Sequence, residues 1–101
     1  MTFEKQYNKG VLIISLSGEL DEKSAAMTRN FLDKAISETP ASRFVLDFSR
    51  VDFMDSTGIG VLLGRYKRLK AEGVEFCVTG INSQIDKVFR ISGLYQIIKA
   101  V

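Results

Sequence analysis

The densest concentration of chemically capable residues in this chain is the run Phe53-Met54-Asp55-Ser56-Thr57-Gly58-Ile59-Gly60. It sets a carboxylate beside two hydroxyls and follows them with glycines. Three kinds of chemistry compete for it. Nucleotide binding would use Gly58, Gly60 and Gly64, but their G-x-G-x-x-x-G spacing is one residue longer than the dinucleotide fingerprint. That fingerprint also starts directly after a strand, and here roughly nine residues separate Phe48 from Gly58. No G-K-[ST] follows, so a phosphate-binding P-loop is excluded. Hydrolysis would need Ser56 as nucleophile, and a serine hydroxyl loses its proton near neutral pH only to a neighbouring base. The chain has no histidine, and no S-x-x-K spacing offers a lysine instead. Cys77, the single cysteine, falls in an expected buried strand where a thiol is inert. The third reading is structural: Ser56 caps a helix, an interaction worth about 1 kcal/mol.

The elements that must position this run follow from the hydrophobic pattern. Asn8-Lys9-Gly10 reads as a hairpin turn between a weakly alternating segment, 3–7, and an apolar strand, Val11–Leu16, which Gly18 then breaks. From Ser24 to Glu38 the residues Ala25, Thr28, Leu32 and Ala35 share one helical side with Ile36 beside them, and Pro40 stops the helix. Phe44–Phe48 reads as a buried strand, and Ser49–Asp55 as the one long loop. Ser56 or Thr57 opens a second helix, running to about Glu72 before Gly73. Along it Arg65, Lys67, Arg68 and Lys70 line the side opposite Leu62, Leu63, Tyr66 and Leu69, the pattern of a solvated face. Gly60 and Gly64, four residues apart, would let this helix approach a sheet closely. Val74–Thr79 is the next strand. Asn82 or Ser83 caps a third helix carrying Ile85, Val88 and Phe89, closed by Gly93 with Leu94 as the apolar contact of a Schellman end. Ile97-Ile98 forms a short last strand. Strands alternating with helices require crossovers, so the expected fold is α/β: a mixed, mostly parallel sheet of four to five strands with helices packed on it, in the order β-β-α-β-α-β-α(-β).

Length and composition bound the function. At 101 residues the chain is expected to be a single domain, 1–101, with 46% hydrophobic and 26% charged residues, close to the soluble average. Its longest apolar runs, Val11–Ile14 and Val61–Leu63, are far below the ~20 residues of a membrane helix. No signal-like apolar core follows the N-terminus, and a lone cysteine suits a reducing compartment, so a cytoplasmic location is expected. A net charge of +2 without an aromatic or motif signature gives no reason to expect nucleic acid as a partner. Neither a metal nor a cofactor is called for.

The run from Phe53 through Val61 resembles the signature of STAS-domain anti-sigma factor antagonists, and Leu63-Gly64-Arg65-Tyr66-Lys67 resembles the sporulation-type members. Two further stretches agree in order: Gly18-Glu19-Leu20-Asp21 after the second strand, and Val88-Phe89-Arg90-Ile91-Ser92-Gly93-Leu94 at the third helix. The resemblance implies a STAS fold and a partner-switching, non-enzymatic role in transcription regulation during sporulation. The unphosphorylated protein would bind an anti-sigma factor that is also a serine kinase, and so free a sigma factor. Phosphorylation of Ser56 would abolish that binding, and a serine phosphatase would reset it. By position, Asp21, Asp55, Ser56, Thr57, Gly58 and Ile59 form or support the partner-binding surface; Thr57, where many relatives carry serine, is a second hydroxyl beside the acceptor. The expected assembly is a monomer or weak dimer. A scaffold or sensory STAS module, binding a relative or a small ligand without a kinase cycle, is the alternative. Read as residues alone, Asp21 could cap the first helix, Asp55 could close an Asx turn, and Ile59 could belong to the core.

Overall fold

Two antiparallel strands open the chain, β1 (Thr2–Asn8) and β2 (Val11–Leu20), joined at Lys9 and Gly10, both with positive φ. That is the two-residue turn whose twist suits a hairpin, as the Asn-Lys-Gly sequence predicts. Helix α1 (Ala25–Glu38), strand β3 (Arg43–Met54), helix α2 (Ser56–Ala71), strand β4 (Glu75–Thr79), helix α3 (Ser83–Ser92), a 3₁₀ turn (Leu94–Gln96) and strand β5 (Lys99–Ala100) follow. The computed structural model describes residues 1–101. The five strands form one sheet in the order β1-β2-β3-β4-β5, with β2 to β5 parallel. The α/β class and the mixed, mostly parallel sheet are therefore as expected.

Alternation decides which face is buried. Leu12, Phe44 and Phe76 occupy one row across β2, β3 and β4, and Ile14, Leu46 and Val78 the next. These six join Leu32 and Ile36 of α1, Leu62 and Leu69 of α2, and Ile85 and Phe89 of α3 in one core cluster. Each large apolar side chain taken from water there contributes about 1.5–3 kcal/mol before chain entropy is counted. All three helices thus cover one face of the sheet. Ile13, Val45 and Cys77 lie on the other.

Several boundaries differ from the sequence reading. Gly18 does not end β2; the strand continues to Leu20 with Gly18 at φ 121°. The expected loop Ser49–Asp55 is mostly strand, since β3 runs to Met54 and pairs with β2 as far as Leu20↔Met54. The pairing slips twice, between Ser15 and Ser17 and between Gly18 and Glu19, each time placing an extra residue in β3. Asp47 stabilises the first slip by accepting from the Ser49 amide at 2.9 Å and from the Ser49 hydroxyl. Since β4 pairs with β3 only as far as Asp47, the ends of β2 and β3 project past it as a two-stranded ribbon. The last strand is Lys99–Ala100 rather than Ile97-Ile98; Leu94–Gln96 takes a 3₁₀ turn and Ile98 is core.

The helix ends obey local chemistry. Asn82, not Ser83, caps α3 by accepting from the Ile85 amide at 2.9 Å, and its own amide group donates to the Val51 carbonyl at 3.1 Å. Gly93 takes the left-handed conformation at φ 80° that lets the chain leave α3, and Leu94 behind it is buried. No helix is long and apolar enough to cross a membrane.

Candidate functional site

The extended β2–β3 ribbon brings the sequence-predicted residues together. Leu20 and Met54 are paired neighbours at the ends of parallel strands, and the Asp55 amide makes a long 3.4 Å bond to the Leu20 carbonyl. Asp21 and Asp55-Ser56 therefore leave adjoining strand ends at the carboxyl edge of the sheet, where open α/β folds place functional loops.

Helix α2 begins here, and its N-cap is Asp55. Neither Ser56 nor Thr57 has that role, which corrects the capping expectation for Ser56. The Asp55 Oδ1 accepts from the Thr57 amide at 2.9 Å and from the Gly58 amide at 3.1 Å. The first of these is the Asx turn that an aspartate can close. Ser56, the first helical residue, is exposed, whereas Thr57 is half-buried. The Ser56 side chain has no hydrogen-bonding partner within the chain, so its hydroxyl is available. Two first-turn amides that could otherwise meet an anion are already taken by Asp55. A phosphate on Ser56 would meet a capped helix start next to a carboxylate, not a set of free donors.

Asp21 is fixed just as firmly, but by a turn that precedes α1 rather than by capping α1 itself. Its Oδ1 accepts from the Lys23 amide at 3.0 Å and from the Ser24 amide at 3.1 Å. The Ser24 amide chiefly, with help from the Glu19 and Lys23 groups, holds the Asp21 carboxyl below the usual carboxylate range. It is therefore charged at neutral pH. Ser24 locks the turn from the other side: its hydroxyl donates to the Glu19 carbonyl at 2.6 Å and accepts from the Asp21 amide at 3.1 Å.

Gly58 supports this arrangement from within. It is buried, and a Cβ there would stand 2.6 Å from the Leu20 carbonyl oxygen and 2.6 Å from Met54 Cγ. The first turn of α2 can press against the end of β2 only because residue 58 has no side chain. Gly60 and Gly64, expected to provide a close approach, have nothing within 4 Å of where a Cβ would be. Ile59 is half-buried and packs against the core, so its apolar surface is shared between interior and exterior.

Two exposed apolar residues near the site were given no role of their own in the sequence reading. Phe53 is 40% exposed although it sits in the strand that carries the site, and Met27 near the start of α1 is 47% exposed. Large apolar groups left in water beside a fixed pair of carboxylates suit a protein-docking surface. An aromatic placed two residues before Asp55 was the available signal. Cys77, by contrast, is fully buried in β4, and burial pushes its thiol above its ordinary range; it offers no nucleophile.

The STAS domain family matches residues 2–101 of this chain. The protein belongs to the STAS family. Among curated relatives, the anti-sigma F factor antagonist of Paenibacillus polymyxa is 39% identical over 97 residues, covering 96% of this chain and 83% of that protein. The anti-sigma-B factor antagonist of Bacillus subtilis is 31% identical over 91 residues, covering 90% and 82%. Among solved structures, the anti-sigma factor antagonist SpoIIAA in its unphosphorylated form superposes with a TM-score of 0.82 at 29% identity, over 99% of this chain and 88% of that one. The Bacillus cell fate determinant SpoIIAA in the phosphorylated form gives 0.74 at 29% identity, over 99% and 91%.

Proposed function

We propose that this STAS protein is an anti-sigma factor antagonist whose binding is switched off by phosphorylation of Ser56. The observation that carries the reading is the first turn of α2: an exposed serine hydroxyl follows a carboxylate locked onto the Thr57 and Gly58 amides. Relatives named as anti-sigma factor antagonists, and a structural neighbour known in phosphorylated and unphosphorylated forms, support it.

In this reading the unphosphorylated protein docks its Asp21–Ser56 edge on an anti-sigma factor that is also a serine kinase, freeing the sigma factor. Asp21 and Asp55 supply fixed negative charge, Ile59 part of the apolar contact, and Gly58 the backbone approach that sets Ser56 in place. Thr57 is shielded relative to Ser56, which favours Ser56 as sole acceptor. The Ser56 oxygen bonds to the γ-phosphorus of ATP as the bond from that phosphorus to the β–γ bridging oxygen breaks, and ADP leaves. The hydroxyl proton passes to a base on the kinase; this chain has no histidine to take it. The product carries about −1.5 to −2 added charges. Desolvating that charge beside Asp55 and Asp21 in a docked interface opposes binding, and each ~1.4 kcal/mol of penalty lowers affinity tenfold. No refolding is needed. A serine phosphatase restores the binding form, and the switch operates as a monomer or weak dimer in the cytoplasm.

Intact-mass measurement after incubation with the cognate anti-sigma kinase and ATP tests the reading. One added phosphoryl group, mapped to Ser56 and absent from Ser56→Ala, is expected. An unmodified protein beside a demonstrably active kinase would point instead to a scaffold or ligand-binding STAS module. Modification at Thr57 would shift the acceptor by one residue.

A further inference from the structure

We propose that the pole opposite Ser56 holds a binding site for a small apolar amine. At the amino-terminal edge of the sheet, between the last turns of α1 and α2, lies a cleft of about 170 Å³. A space on the order of 150 Å³ suffices for a benzene ring when its walls are apolar. Its floor is made by Leu12, Phe44 and Leu69, each only 1% exposed, so the cleft reaches the core. Pro40 and Ala41 form part of the rim. Proline fixes that wall in place, and alanine leaves open a space that a longer side chain would fill. Six of the nine lining residues are apolar, so a small ring can rest on the floor while the rim stays polar.

The polar groups at the mouth choose the head group. Helices α1 and α2 end here, at Glu38 and Ala71, so two negative dipole ends converge on this pole. The Glu72 carboxylate adds to them; its Oε2 accepts from Arg68 Nε at 2.9 Å, while Oε1 has no partner within the chain. A cationic nitrogen suits the free Oε1 and the two helix ends better than a carboxylate does, even with Arg68 beside Oε2. Since α2 has 16 residues, about 24 Å of helix at 1.5 Å per residue separates this mouth from Ser56. An occupant would not touch the docking edge.

The test is a titration of the methyl-labelled protein followed by ¹H–¹³C correlation spectra, with benzylamine as probe and phenylacetate and benzyl alcohol as comparators. Saturable benzylamine shifts centred on Leu12, Leu69 and Val74 are expected. Its Kd should lie at roughly 0.1–10 mM, the range a ligand of about eight heavy atoms can reach. Phenylacetate should bind at least tenfold more weakly. Ala41→Met should abolish the shifts while leaving the rest of the spectrum in place. The exposed Glu72→Gln should weaken benzylamine severalfold and leave benzyl alcohol unchanged. Shifts that are absent, scattered, or retained in Ala41→Met would overturn the site, and equal affinity for benzylamine and phenylacetate would overturn the amine preference.

Discussion

The three glycines of α2 show how one residue type can serve opposite ends. Gly58 is compressed against the Leu20 carbonyl, with 2.6 Å to a Cβ that is not there. Gly58→Ala must displace either backbone or the Met54 side chain, and a loss of about 1–3 kcal/mol is expected from overpacking. Gly60 and Gly64 meet nothing, so Gly60→Ala and Gly64→Ala should each stabilise by up to ~0.8–1 kcal/mol through helix propensity. Urea unfolding of the three variants checks this directly, since opposite signs are predicted within one helix. Asp55→Ala removes the acceptor for two amides and should reduce stability by about 1 kcal/mol. Hydrogen exchange at Thr57 and Gly58 would accelerate in that variant, while the end of the helix at Arg68–Ala71 should be unaffected. Ser56→Ala removes no internal bond and should leave the urea midpoint where it is.

At the scale of elements, α1 and α2 are joined by a charge network that the sequence concealed. Arg65 was expected on a solvated face, yet its side chain is only 13% exposed, and its Nε lies 3.1 Å from Asp33 of α1. Arg68 reaches the same carboxylate at 3.6 Å, the Asp33 carbonyl at 3.1 Å and the Ser37 hydroxyl at 2.7 Å. A helical wheel for α2 alone cannot show this, because the basic residues divide between solvent (Lys67, Lys70) and the flank that α1 covers. Asp33→Ala strands the Arg65 charge and should destabilise by about 1–2 kcal/mol, kept modest because Asp33 is itself partly solvated. Arg65→Met removes that charge and should be neutral or slightly stabilising. Chemical denaturation of both variants, compared with the double variant, measures the coupling. The order of elements was legible for a plainer reason: apolar runs of strand and helix period are separated by Gly10, Pro40, Gly73 and Gly93. The β2–β3 ribbon was not legible. Ser49, Arg50 and Asp52 are polar and exposed, since that stretch pairs beyond the reach of β4 and has less to bury. The motif around Ser56 was legible and named the candidate site. The assignment of the cap to Asp55, and of tight packing to Gly58 rather than Gly60 and Gly64, required knowing where the end of β2 lies.

For the whole molecule, the absence of histidine and the set of shifted groups determine the response to pH. The Asp86 carboxyl is held below its usual range by the Tyr95 hydroxyl first and by Arg90 second, and the Glu75 carboxyl by the Cys77 thiol and then Arg43. With Asp21 lowered as well, stability from these groups is fully present above their unfolded values of about 4 and is lost as pH falls through the folded ones. Tyr95 has the opposite sign: burial first, and its bond to Asp86 second, push it up to about 12. Its contribution is present below the unfolded value of about 10 and disappears as pH rises through the folded one. Urea midpoints should therefore be nearly flat from about pH 5 to 8, fall below about pH 4, and fall again above about pH 10. Absorbance at ~295 nm should show a late tyrosinate that Tyr95→Phe removes. In the proposed reading, phosphorylation of Ser56 adds charge at an exposed position of this frame and leaves its core alone, so the switch is expected to act at the interface and not on the fold. The most direct test is calorimetric titration of the anti-sigma kinase with unphosphorylated and Ser56-phosphorylated protein. A loss of affinity of about a hundredfold or more, equivalent to ~2.7 kcal/mol, with unchanged circular dichroism, is the predicted result; equal affinities for the two forms would contradict the account.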